Sequence, residues 1–554
     1  MNTSSNGISM LVPDFPFPYD EYLGHTDGLG AIPPERHGTE VAVIGAGLSG
    51  LVTAYELMKL GLKPVVYEAA ELGGRLRGAR KAGTDHPVAD LGGMRFPRSG
   101  RAFYHYVDLL GLDTRPFPNP FTAASDSTVI EIAGQKHYAE STGDLPRFFH
   151  DVADAWHACL EERAHFSSMQ QAIKDRDYAT IKRLWNELVP LLDDVSFSHY
   201  LATSKAFSSL PFEYREAFGL VGFGTGGFDT NFPDSMLEIL RVVYVDAEDD
   251  QHRIVGGAQR LPQLLWHHAP ERMAHWPAGT SLASLHRGGP RGAVKRVWRA
   301  PDPGRGIDVT DRWGSTTTYQ AVVASCQSWL LSARIDTDES LFSHHLWTAI
   351  ERSHYMQASK TFVVVDRPFW KDVDPATGRH VLSTTLTDRL TRGTYLLDNG
   401  PGQPALICLS YTWNDDALKW LTLDGDERVR LMLHSLKQIY PDVDIASHIV
   451  GDPITVSWED DPHFMGAFSD NLPGHYRYQE RLYTHFMQDG YDPAHRGIYL
   501  CGDDVSWTGG WAEGAVTTGL NAVWGVMSQL GGKTSADNPG PGDRFGELRP
   551  IRLR

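Results

Sequence analysis

Apolar and polar positions repeat with two different periods along this chain, and the change of period predicts the order of its elements. EVAVIG at 40–45 is a short apolar run typical of a buried strand, and KPVVYEA at 63–69 is a second one. The stretch between them, LSGLVTAYELMKLG, has helical spacing and ends at Gly61. A strand, a helix and a second strand within about 30 residues form the repeating unit of parallel α/β sheets.

From residue 102 to about residue 245 the pattern is helical, and short strands return after it. Two helical faces are apolar, with Phe149, Val152, Ala153, Trp156 and Leu160 on the first and Ile181, Leu184, Trp185 and Leu188 on the second. Later strands are expected at VKRVWRA, GIDVTD, QAVVASC, KTFVVVD, TYLLD, ALICLSY and GIYLC. The expected fold class is therefore α/β, with a Rossmann-like dinucleotide-binding domain assembled from discontinuous segments, an α+β substrate-binding domain and an inserted helical domain.

The same pattern sets the expected domain boundaries. An N-terminal arm covers 1–38 and a C-terminal tail covers 535–554. The dinucleotide-binding domain takes 39–101, 251–335 and 486–534. The helical domain, which also contributes to the substrate pocket, takes 102–250, and the substrate-binding domain takes 336–485. A chain of 554 residues is too long for one core, so several domains are expected.

Composition narrows the function classes. The formal charge of −18, from 51 Lys and Arg against 69 Asp and Glu, argues against a nucleic-acid-binding surface and suits cationic small molecules. The four cysteines lie far apart and fit neither a disulfide framework nor a metal site, so a reducing, cytoplasmic location is expected. The chain has no signal-peptide pattern and no run of 18 apolar residues, so no membrane association is expected.

GAGLSG at 45–50 follows the first strand and opens the first helix, which is the context of a dinucleotide-binding loop. Gly45 allows the tight turn, Gly47 lets a pyrophosphate approach the backbone, and Gly50 lets the helix pack closely on the strand. The helix N-terminus favours the phosphate charge. Glu68 ends the second strand, where a carboxylate binds ribose hydroxyls.

Two further segments extend this site and favour FAD, because FAD is a long ligand that stretches across such a domain. LGGRLR adds a glycine pair and a basic residue, and the C-terminal GDD precedes a glycine-rich helix start whose N-terminus can point at the flavin. DLGGMRFP, in turn, sets bare backbone beside a fixed positive charge. The expected cofactor-binding residues are Gly45, Gly47, Leu48, Ser49, Gly50, Glu68, Gly74, Arg75, Gly92, Gly93, Met94, Arg95, Gly502, Asp503, Gly514, Ala515 and Val516.

VAVIGAGLSGLVTAYELMKLGLKPVVYEA, LGGRLR, DLGGMRFP, SKTFVVV and GDDVSWTGGWAEGAV resemble the flavin amine oxidase family. Within the family the sequence is most similar to bacterial L-lysine 2-monooxygenases and related L-amino-acid oxidases, from PDFPFPYDEYL near the start to NPGPGD near the end. The resemblance implies noncovalently bound FAD, O₂ as the second substrate, and a homodimer or larger assembly. Cys501 is interpreted as a strand residue of the core rather than as a flavin attachment site.

The resemblance also implies roles for single residues. Arg95 matches the arginine that binds the substrate α-carboxylate, and a guanidinium suits that task because it binds bidentately and keeps its charge. Lys360 matches the lysine near the flavin, where positive charge assists the reaction with O₂. Lys360 and Trp511 are the expected catalytic residues. The expected substrate contacts besides Arg95 are Tyr395, on the carboxylate, the aromatic wall residues Trp511, Tyr411 and Trp413, and Asn231.

The side chain of the substrate is expected to be cationic. NFPDSMLEILRVVYVDAEDD offers the groups that could balance a buried cation, namely Asn231, Asp234, Glu238, Asp246, Glu248, Asp249 and Asp250. The lysine enzymes carry aspartate about where Asn231 stands and cysteine about where Ala247 stands, and this chain departs from both. That departure leaves the preference for lysine and the balance between monooxygenase and oxidase activity open, and the acids at 246–250 suit a guanidinium as well as an ammonium.

The expected activity is that of an L-lysine 2-monooxygenase, which forms 5-aminopentanamide, CO₂ and water. Oxidase side activity would instead give a 2-oxo acid, ammonia and H₂O₂. The alternatives are an L-arginine 2-monooxygenase that forms 4-guanidinobutanamide, an L-amino-acid oxidase, and an amine or polyamine oxidase that does not recognise a carboxylate. A non-enzymatic FAD-binding protein is the alternative of another class.

Overall fold

The strand predicted at EVAVIG is an inner strand of a four-stranded parallel sheet, the cofactor sheet. The computed structural model describes residues 7–81, 84, 86–221, 228–302, 304 and 306–553. The spatial order of the cofactor sheet is β2 (Lys63–Tyr67), β1 (Glu40–Ile44), β13 (Val322–Ala324) and β22 (Ile498–Leu500). Ala42 lies opposite Val65 on one side and Val322 on the other. The Rossmann-like fold assembled from separated segments is thus confirmed.

The two faces of the cofactor sheet are covered differently. Val41 and Val43 point into the core formed with helices α2 (Leu48–Lys59) and α18 (Ala512–Gln529). Ala42 and Ile44 point into a second core, formed with an outer sheet. A buried strand covered on both faces has to be a continuous apolar run, as the sequence pattern showed. The outer sheet has the order β12 (Thr316–Tyr319), β11 (Ile307–Asp311), β10 (Val294–Arg299) and β14 (Asp336–Thr337).

A seven-stranded mixed sheet forms the other large layer. Its spatial order is β20 (Ile454–Ser457), β16 (Ala358–Val365), β19 (Ala405–Trp413), β18 (Gly393–Leu397), β17 (Thr384–Thr387), β7 (Thr128–Ile132) and β8 (Gln135–Ala139). The strands β7 and β8 come from the stretch where helices were expected. The β-branched run TVIEI favours a strand there, and Thr128 pairs with Thr384 of β17.

Three small sheets connect these layers. The first has three strands in the order β5 (Phe96–Pro97), β9 (Gln251–Ile254) and β6 (Thr114–Pro116), and it joins the stretch that follows the glycine pair to the acidic turn before residue 251. The second pairs β3 (Gly78–Ala79) with β4 (Ala89–Asp90), and the third pairs β15 (Tyr355–Met356) with β21 (Phe468–Ser469).

The stretch expected to be helical is mostly so, and its apolar faces are buried. In the first of these faces Ala153 is exposed and Ala155 and Cys159 are buried in its place. The remaining helices are α1 (Tyr19–Gly24), α3 (Arg101–Leu109), α4 (Arg147–Ala164), α5 (Phe166–Lys174), α6 (Tyr178–Leu192), α7 (Phe197–Thr203), α8 (Lys205–Ser208), α9 (Phe212–Val221), α10 (Met236–Tyr244), α11 (Arg260–His267), α12 (Leu282–Leu285), α13 (Trp329–Ala333), α14 (His344–Arg352), α15 (Asn414–Leu418), α16 (Gly425–Ile439), α17 (Tyr476–Thr484) and α19 (Phe545–Leu548).

The N-terminal stretch packs against the C-terminal part of the chain. Tyr19 donates a hydrogen bond from its hydroxyl to Asn521 Oδ1 at 2.7 Å, and Ala31 forms a bridge with Lys533. Asp14 is fully buried and pairs with Arg241 of α10, with 2.7 Å between its Oδ2 and Arg241 Nε. No helix in the described part of the chain is long and apolar enough to cross a membrane.

Candidate active site

A cavity of about 500 Å³, the cofactor cavity, lies at the carboxyl ends of the cofactor-sheet strands. It is lined by the loop between β1 and α2, by the stretches 67–76 and 91–96, and by the C-terminal stretch 502–515. The carboxyl ends of parallel strands are where α/β sheets bind dinucleotides. The segments that the sequence predicted to share one ligand therefore meet around one space.

The glycine loop has the backbone that the motif requires. Gly45 has a φ of +109°, and a Cβ on Gly50 would lie 2.1 Å from the carbonyl oxygen of Gly45. Gly50 therefore serves helix packing and lies outside the described lining, whereas Gly47 lines the cavity. Glu68 also lines the cavity, and its carboxylate accepts hydrogen bonds from the backbone N–H groups of Ala46 at 2.7 Å and Ala70 at 2.8 Å.

Arg75 and Asp503 form an ion pair across the cavity wall. Arg75 Nη1 also donates to the carbonyl oxygen of Ala467 at 2.9 Å. Burial by itself lowers the pKa of Arg75, but Asp503 and Asp504 outweigh it and hold the pKa above the usual value. The pair ties the segment after β2 to the segment after β22.

The glycine at position 92 is required by the protein itself as well as by a ligand. A Cβ there would lie 1.6 Å from the carbonyl oxygen of Arg75 and 3.2 Å from the Trp458 ring. Trp458 Nε1 donates to the carbonyl oxygen of Leu91 at 3.1 Å, which fixes the same stretch. Gly92 and Gly93 both line the cavity. Because the backbone of residue 92 lies so close to the backbone of Arg75, only glycine fits there, and the stretch faces the cavity with bare backbone.

These residues fit FAD. The glycine loop and the N-terminus of α2 offer bare backbone to a diphosphate, and Glu68 offers a carboxylate to a ribose. The cavity extends from there along the glycine pair to the start of α18. A cradle of this length suits an extended dinucleotide.

Lys360 of β16 lies in the cavity wall with only 3% of its surface exposed. Its Nζ donates hydrogen bonds to the carbonyl oxygens of Gly92 and, at 3.3 Å, Asp90, and it lies 4.7 Å from the centre of the Tyr411 ring. Burial lowers the pKa of Lys360 to about 8, although Asp90 opposes the shift. The ammonium is therefore positioned by backbone carbonyls of the glycine-pair stretch.

Arg95 is half-buried in the same cavity and is surrounded by aromatic rings. Its guanidinium carbon lies 5.6 Å from the centre of the Tyr395 ring and 5.9 Å from that of Tyr411. Its Nη1 donates to Asn119 Oδ1 at 3.0 Å. Burial lowers the pKa of Arg95, but Tyr395 and Glu248 raise it more, so the pKa lies above the usual value. A fixed guanidinium of this kind can bind a carboxylate.

Aromatic side chains from three elements line the cavity beside Arg95. Tyr411 and Trp413 of β19 lie 5.1 Å apart in an edge-on arrangement, and Trp413 lies 6.3 Å from Phe468 of β21. Trp511 precedes α18 and also lines the cavity. Large apolar rings exclude water from the space they enclose.

Three buried carboxyl groups, Asp234, Glu238 and Asp470, form an acid group at the cavity wall. Glu238 and Asp470 line the cavity, and Asn231 Nδ2 donates to Asp470 Oδ2 at 3.2 Å. Burial, followed by repulsion from Glu238, raises the pKa of Asp234 to about 8. Burial and the charges of Asp234 and Glu238 hold the pKa of Asp470 well above its usual value. Arg241 partners Glu238, whose pKa burial nevertheless raises.

The structure brings most of the expected site residues together. Tyr395 contacts the Arg95 guanidinium with its ring but is not among the described lining residues of the cavity. Ala515 lines the cavity, whereas Gly514 and Val516 lie outside its described lining. Cys501 also lies outside it, and burial raises the pKa of its thiol to about 11. No three His, Cys, Asp or Glu side chains are grouped as a metal site in the parts of the chain that the structure covers.

Sequence reasoning missed several residues of the wall, among them Phe468 and three others of the same region. Trp458, Phe464 and Asp470 reach the cavity from the stretch between β20 and α17, which carries no recognisable motif. Of the six acids proposed to balance a cation, Glu238 and Glu248 line the cavity and Asp234 lies behind it. Asp246, Asp249 and Asp250 lie outside its described lining.

Comparisons with known proteins agree with this geometry. Residues 48–527 match the profile of the flavin containing amine oxidoreductase family. A tryptophan 2-monooxygenase of Allorhizobium ampelinum is 29% identical over 97% of this chain and 76% of its own length. The L-amino-acid oxidase-like protein YobN of Bacillus subtilis is 24% identical over 89% of this chain and 95% of its own length. A putrescine oxidase with a redesigned cofactor site has a TM-score of 0.65, at 18% identity over 88% of this chain and 99% of that one, which shows the fold alone.

The two sequence relatives are named for tryptophan and for L-amino acids in general, so they lend no support to the expected preference for lysine. The match of the family profile covers far more than half of the chain. The chain belongs to the flavin-containing amine oxidoreductase family and is an FAD-dependent oxidoreductase, so the alternative of a non-enzymatic flavoprotein is set aside.

Proposed function

We propose that the protein oxidises a cationic L-amino acid as a 2-monooxygenase, with L-lysine as the first candidate. Asp470 carries the proposal. Its Oδ1 atom is buried in the wall of the cavity that also contains Arg95, and it has no hydrogen-bond partner within the described part of the chain. A buried carboxyl oxygen without a partner is costly, so a ligand that brings a donor is favoured there.

Two fixed charges of opposite sign would orient such a substrate. Arg95 would bind the α-carboxylate, because it is held by Asn119 and the surrounding rings and keeps its charge. Asp470 and Glu238 would receive the side-chain cation. An ammonium or a guanidinium near Asp470 favours its ionised form, which burial otherwise disfavours.

FAD, when bound, would supply the redox chemistry, taking up the two electrons of the substrate Cα–H bond as the Cα–N bond becomes a double bond, with O₂ as the final acceptor. Lys360 would hold a positive charge at the glycine-pair stretch below about pH 8, where it can stabilise negative charge that develops on oxygen. Trp413, Phe468 and Trp511 would keep water away from the oxidised substrate.

Retention of the oxidised substrate decides the products. In the monooxygenase reaction, amino acid and O₂ give an amide one carbon shorter, CO₂ and water. In the oxidase reaction, amino acid, O₂ and water give a 2-oxo acid, ammonia and H₂O₂. The aromatic wall supports retention and therefore the first outcome.

A tryptophan 2-monooxygenase is the second candidate. The relative from Allorhizobium ampelinum bears that name, and the rings of Trp413, Phe468 and Trp511 could pack on an indole. An indole N–H could also donate to Asp470, but a neutral donor favours the ionised form of this buried carboxyl group less than a cation does. Arginine remains the alternative among cationic substrates.

The deciding experiment mixes the purified holoenzyme anaerobically with each of the twenty L-amino acids and follows flavin absorbance. The proposal expects bleaching first by L-lysine or L-arginine, and an amide in the aerobic product. Fast bleaching by L-tryptophan with slow bleaching by both cationic amino acids would favour the second candidate. Bleaching by amines such as putrescine but by no amino acid would contradict both.

The other expectations from sequence stay predictions. They are the cytoplasmic location, the homodimer or larger assembly, the domain boundaries and the roles of the single site residues. Noncovalent attachment of FAD is one of them, and release of yellow flavin into the supernatant after acid precipitation would support it.

A further inference from the structure

A second cavity, of about 830 Å³, adjoins the cofactor cavity, and we call it the outer chamber. It is lined by the stretch 115–127 ahead of β7, by the acidic turn and start of β9, and by Trp370, Leu382 and Asp398 beside the seven-stranded sheet. Glu248 is the one residue common to the described linings of both cavities. The two spaces are therefore neighbours with Glu248 between them.

A row of hydrogen-bonded side chains separates the two cavities. Arg95 Nη1 donates to Asn119 Oδ1 at 3.0 Å, Asn119 Nδ2 donates to Gln251 Oε1 at 2.7 Å, and Gln251 Nε2 donates to Glu248 Oε2 at 3.4 Å. Arg95 faces the cofactor cavity, and Asn119 and Gln251 face the outer chamber. A partition made of side chains opens by rotamer changes, which are faster than the movement of a strand.

Acidic groups outnumber basic ones in the lining of the outer chamber. Lys371, one of the bases, is already paired with Asp398 at 2.6 Å. Burial and repulsion from neighbouring acids raise the pKa of Asp249 to about 6, so negative charge is crowded at this turn. The charged lining residues are Asp126, Glu248, Asp249, Asp250, Asp398, Arg115, Arg253 and Lys371.

We propose that the outer chamber admits a cationic amino acid to the active site, and that Glu248 contacts the cation as it passes between the cavities. The cationic character of the ligand rests on the proposed function. Acidic walls raise the local concentration of a cation and speed its association. At the inner end the substrate carboxylate meets Arg95, whose link to Asn119 would give way to it.

The test plugs the chamber reversibly. Ala124 is exposed and lines the outer chamber, so Ala124→Cys can be modified with a benzyl methanethiosulfonate reagent, which forms a mixed disulfide. The bimolecular rate constant for flavin reduction by L-lysine is expected to fall at least about tenfold on modification and to return after dithiothreitol. The unmodified variant serves as the reference for folding and FAD content.

Two controls accompany the plug. Ala376→Cys is exposed and lies outside the described lining of either cavity, so its modification is expected to leave the rate constant within about twofold of its unmodified value. The protein with its natural sequence is treated in parallel, because Cys326 lines the cofactor cavity. An unchanged rate constant after modification of Ala124→Cys would overturn the proposal.

The preference of the outer chamber for cations is tested without catalysis, by comparing how fast differently charged thiol reagents label the introduced cysteine. Ala124→Cys is expected to react at least about fivefold faster with a trimethylammonium-bearing reagent than with a sulfonate-bearing one at low salt, relative to Ala376→Cys. Adding Glu248→Gln is expected to reduce that preference, and equal rates for both reagents would contradict a cation-selective chamber. If no amino acid bleaches the flavin, the proposed function fails, while these labelling rates still decide whether the chamber prefers cations.

Discussion

Lys360 donates a hydrogen bond from its Nζ to the carbonyl oxygen of Gly92, on the stretch that also carries Arg95. The bond joins the seven-stranded sheet to the glycine pair of the cofactor cavity. The stretch 92–95 therefore offers bare glycine backbone to the cofactor, binds the buried ammonium of Lys360 and carries the guanidinium of Arg95 in the cavity wall. The proposed chemistry depends on how these three parts stay aligned.

Lys360→Met is expected to slow the reaction of the reduced enzyme with O₂ by about 100-fold, because it removes a buried positive charge. In the unsubstituted enzyme the rate constant for this reaction should fall as pH rises through about 8, since Lys360 loses its proton there. Stopped-flow reoxidation across pH 6 to 10 measures both effects. Lys437→Met, at an exposed position, is the matched control, and a pH profile that survives in Lys360→Met would refute the assignment.

Arg95→Met is expected to lower kcat/KM for the best amino acid by about 100-fold, which corresponds to about 2.7 kcal/mol, because the α-carboxylate loses its partner. Arg95→Lys should recover only part of that loss, since an ammonium cannot bind the carboxylate bidentately. The FAD content of both variants has to match that of the parent. A decrease of less than about tenfold in Arg95→Met would show that the anchor lies elsewhere.

Asp470→Asn is expected to raise KM for L-lysine by about 10- to 100-fold while changing KM for L-norleucine little, because the amide keeps the shape and loses the charge. Steady-state kinetics with both amino acids at pH 8 give the comparison. Equal increases in KM for L-lysine and L-norleucine would mean that Asp470 supports the cavity wall without binding the charge of the substrate side chain.

The same substitution should change how stability depends on pH. The pKa of Asp470 is raised in the folded protein, so the folded state binds more protons than the unfolded state, and stability falls as pH rises through the raised pKa. Asp470→Asn removes this contribution and should flatten the decline of the unfolding temperature as pH rises from the ordinary carboxyl pKa of about 4 towards the raised pKa. Thermal unfolding without substrate between pH 4 and 8 is the measurement, and parallel curves for both proteins would argue against the shift.

Gly92→Ala is expected to reduce FAD content strongly and to lower the unfolding temperature by more than about 3 °C, because the new Cβ would overlap the carbonyl oxygen of Arg75. Gly143→Ala is the matched control, since its Cβ would meet only the Ser141 hydroxyl oxygen at an ordinary 3.6 Å. Flavin absorbance relative to protein and thermal unfolding report the outcome. A fully loaded, stable Gly92→Ala enzyme would disprove the close packing of this stretch.

The cofactor half of the site could be predicted because its requirements are local in sequence. The turn at Gly45 and the tight helix packing at Gly50 are backbone constraints that only glycine satisfies well, so they can be recognised from the glycine spacing in the sequence. Glu68 follows from the end of β2. For the same reason the parallel strands were recognised as apolar runs.

The substrate half could be predicted only in part, because its residues meet through distant contacts. Asp470 reaches Asn231 across 239 positions, after β21 has paired with β15, and nothing near Asp470 in the sequence announces this. The helical expectation for 128–139 failed because tertiary pairing with β17 recruits that stretch as two strands. Gly92 looked like a purely cofactor-facing glycine, and the backbone of Arg75 supplies a second reason for it.

The order of strands in the cofactor sheet has a consequence for biosynthesis. β1 and β2 are synthesised before β13 and β22, which complete the sheet with residues 322–324 and 498–500. Until then the inner edge of β1 is an unpaired strand edge, which is prone to aggregate. The glycine loop thus acquires its full surroundings only after residue 500 has been synthesised, so the cofactor site cannot be complete before the last strand of its sheet exists.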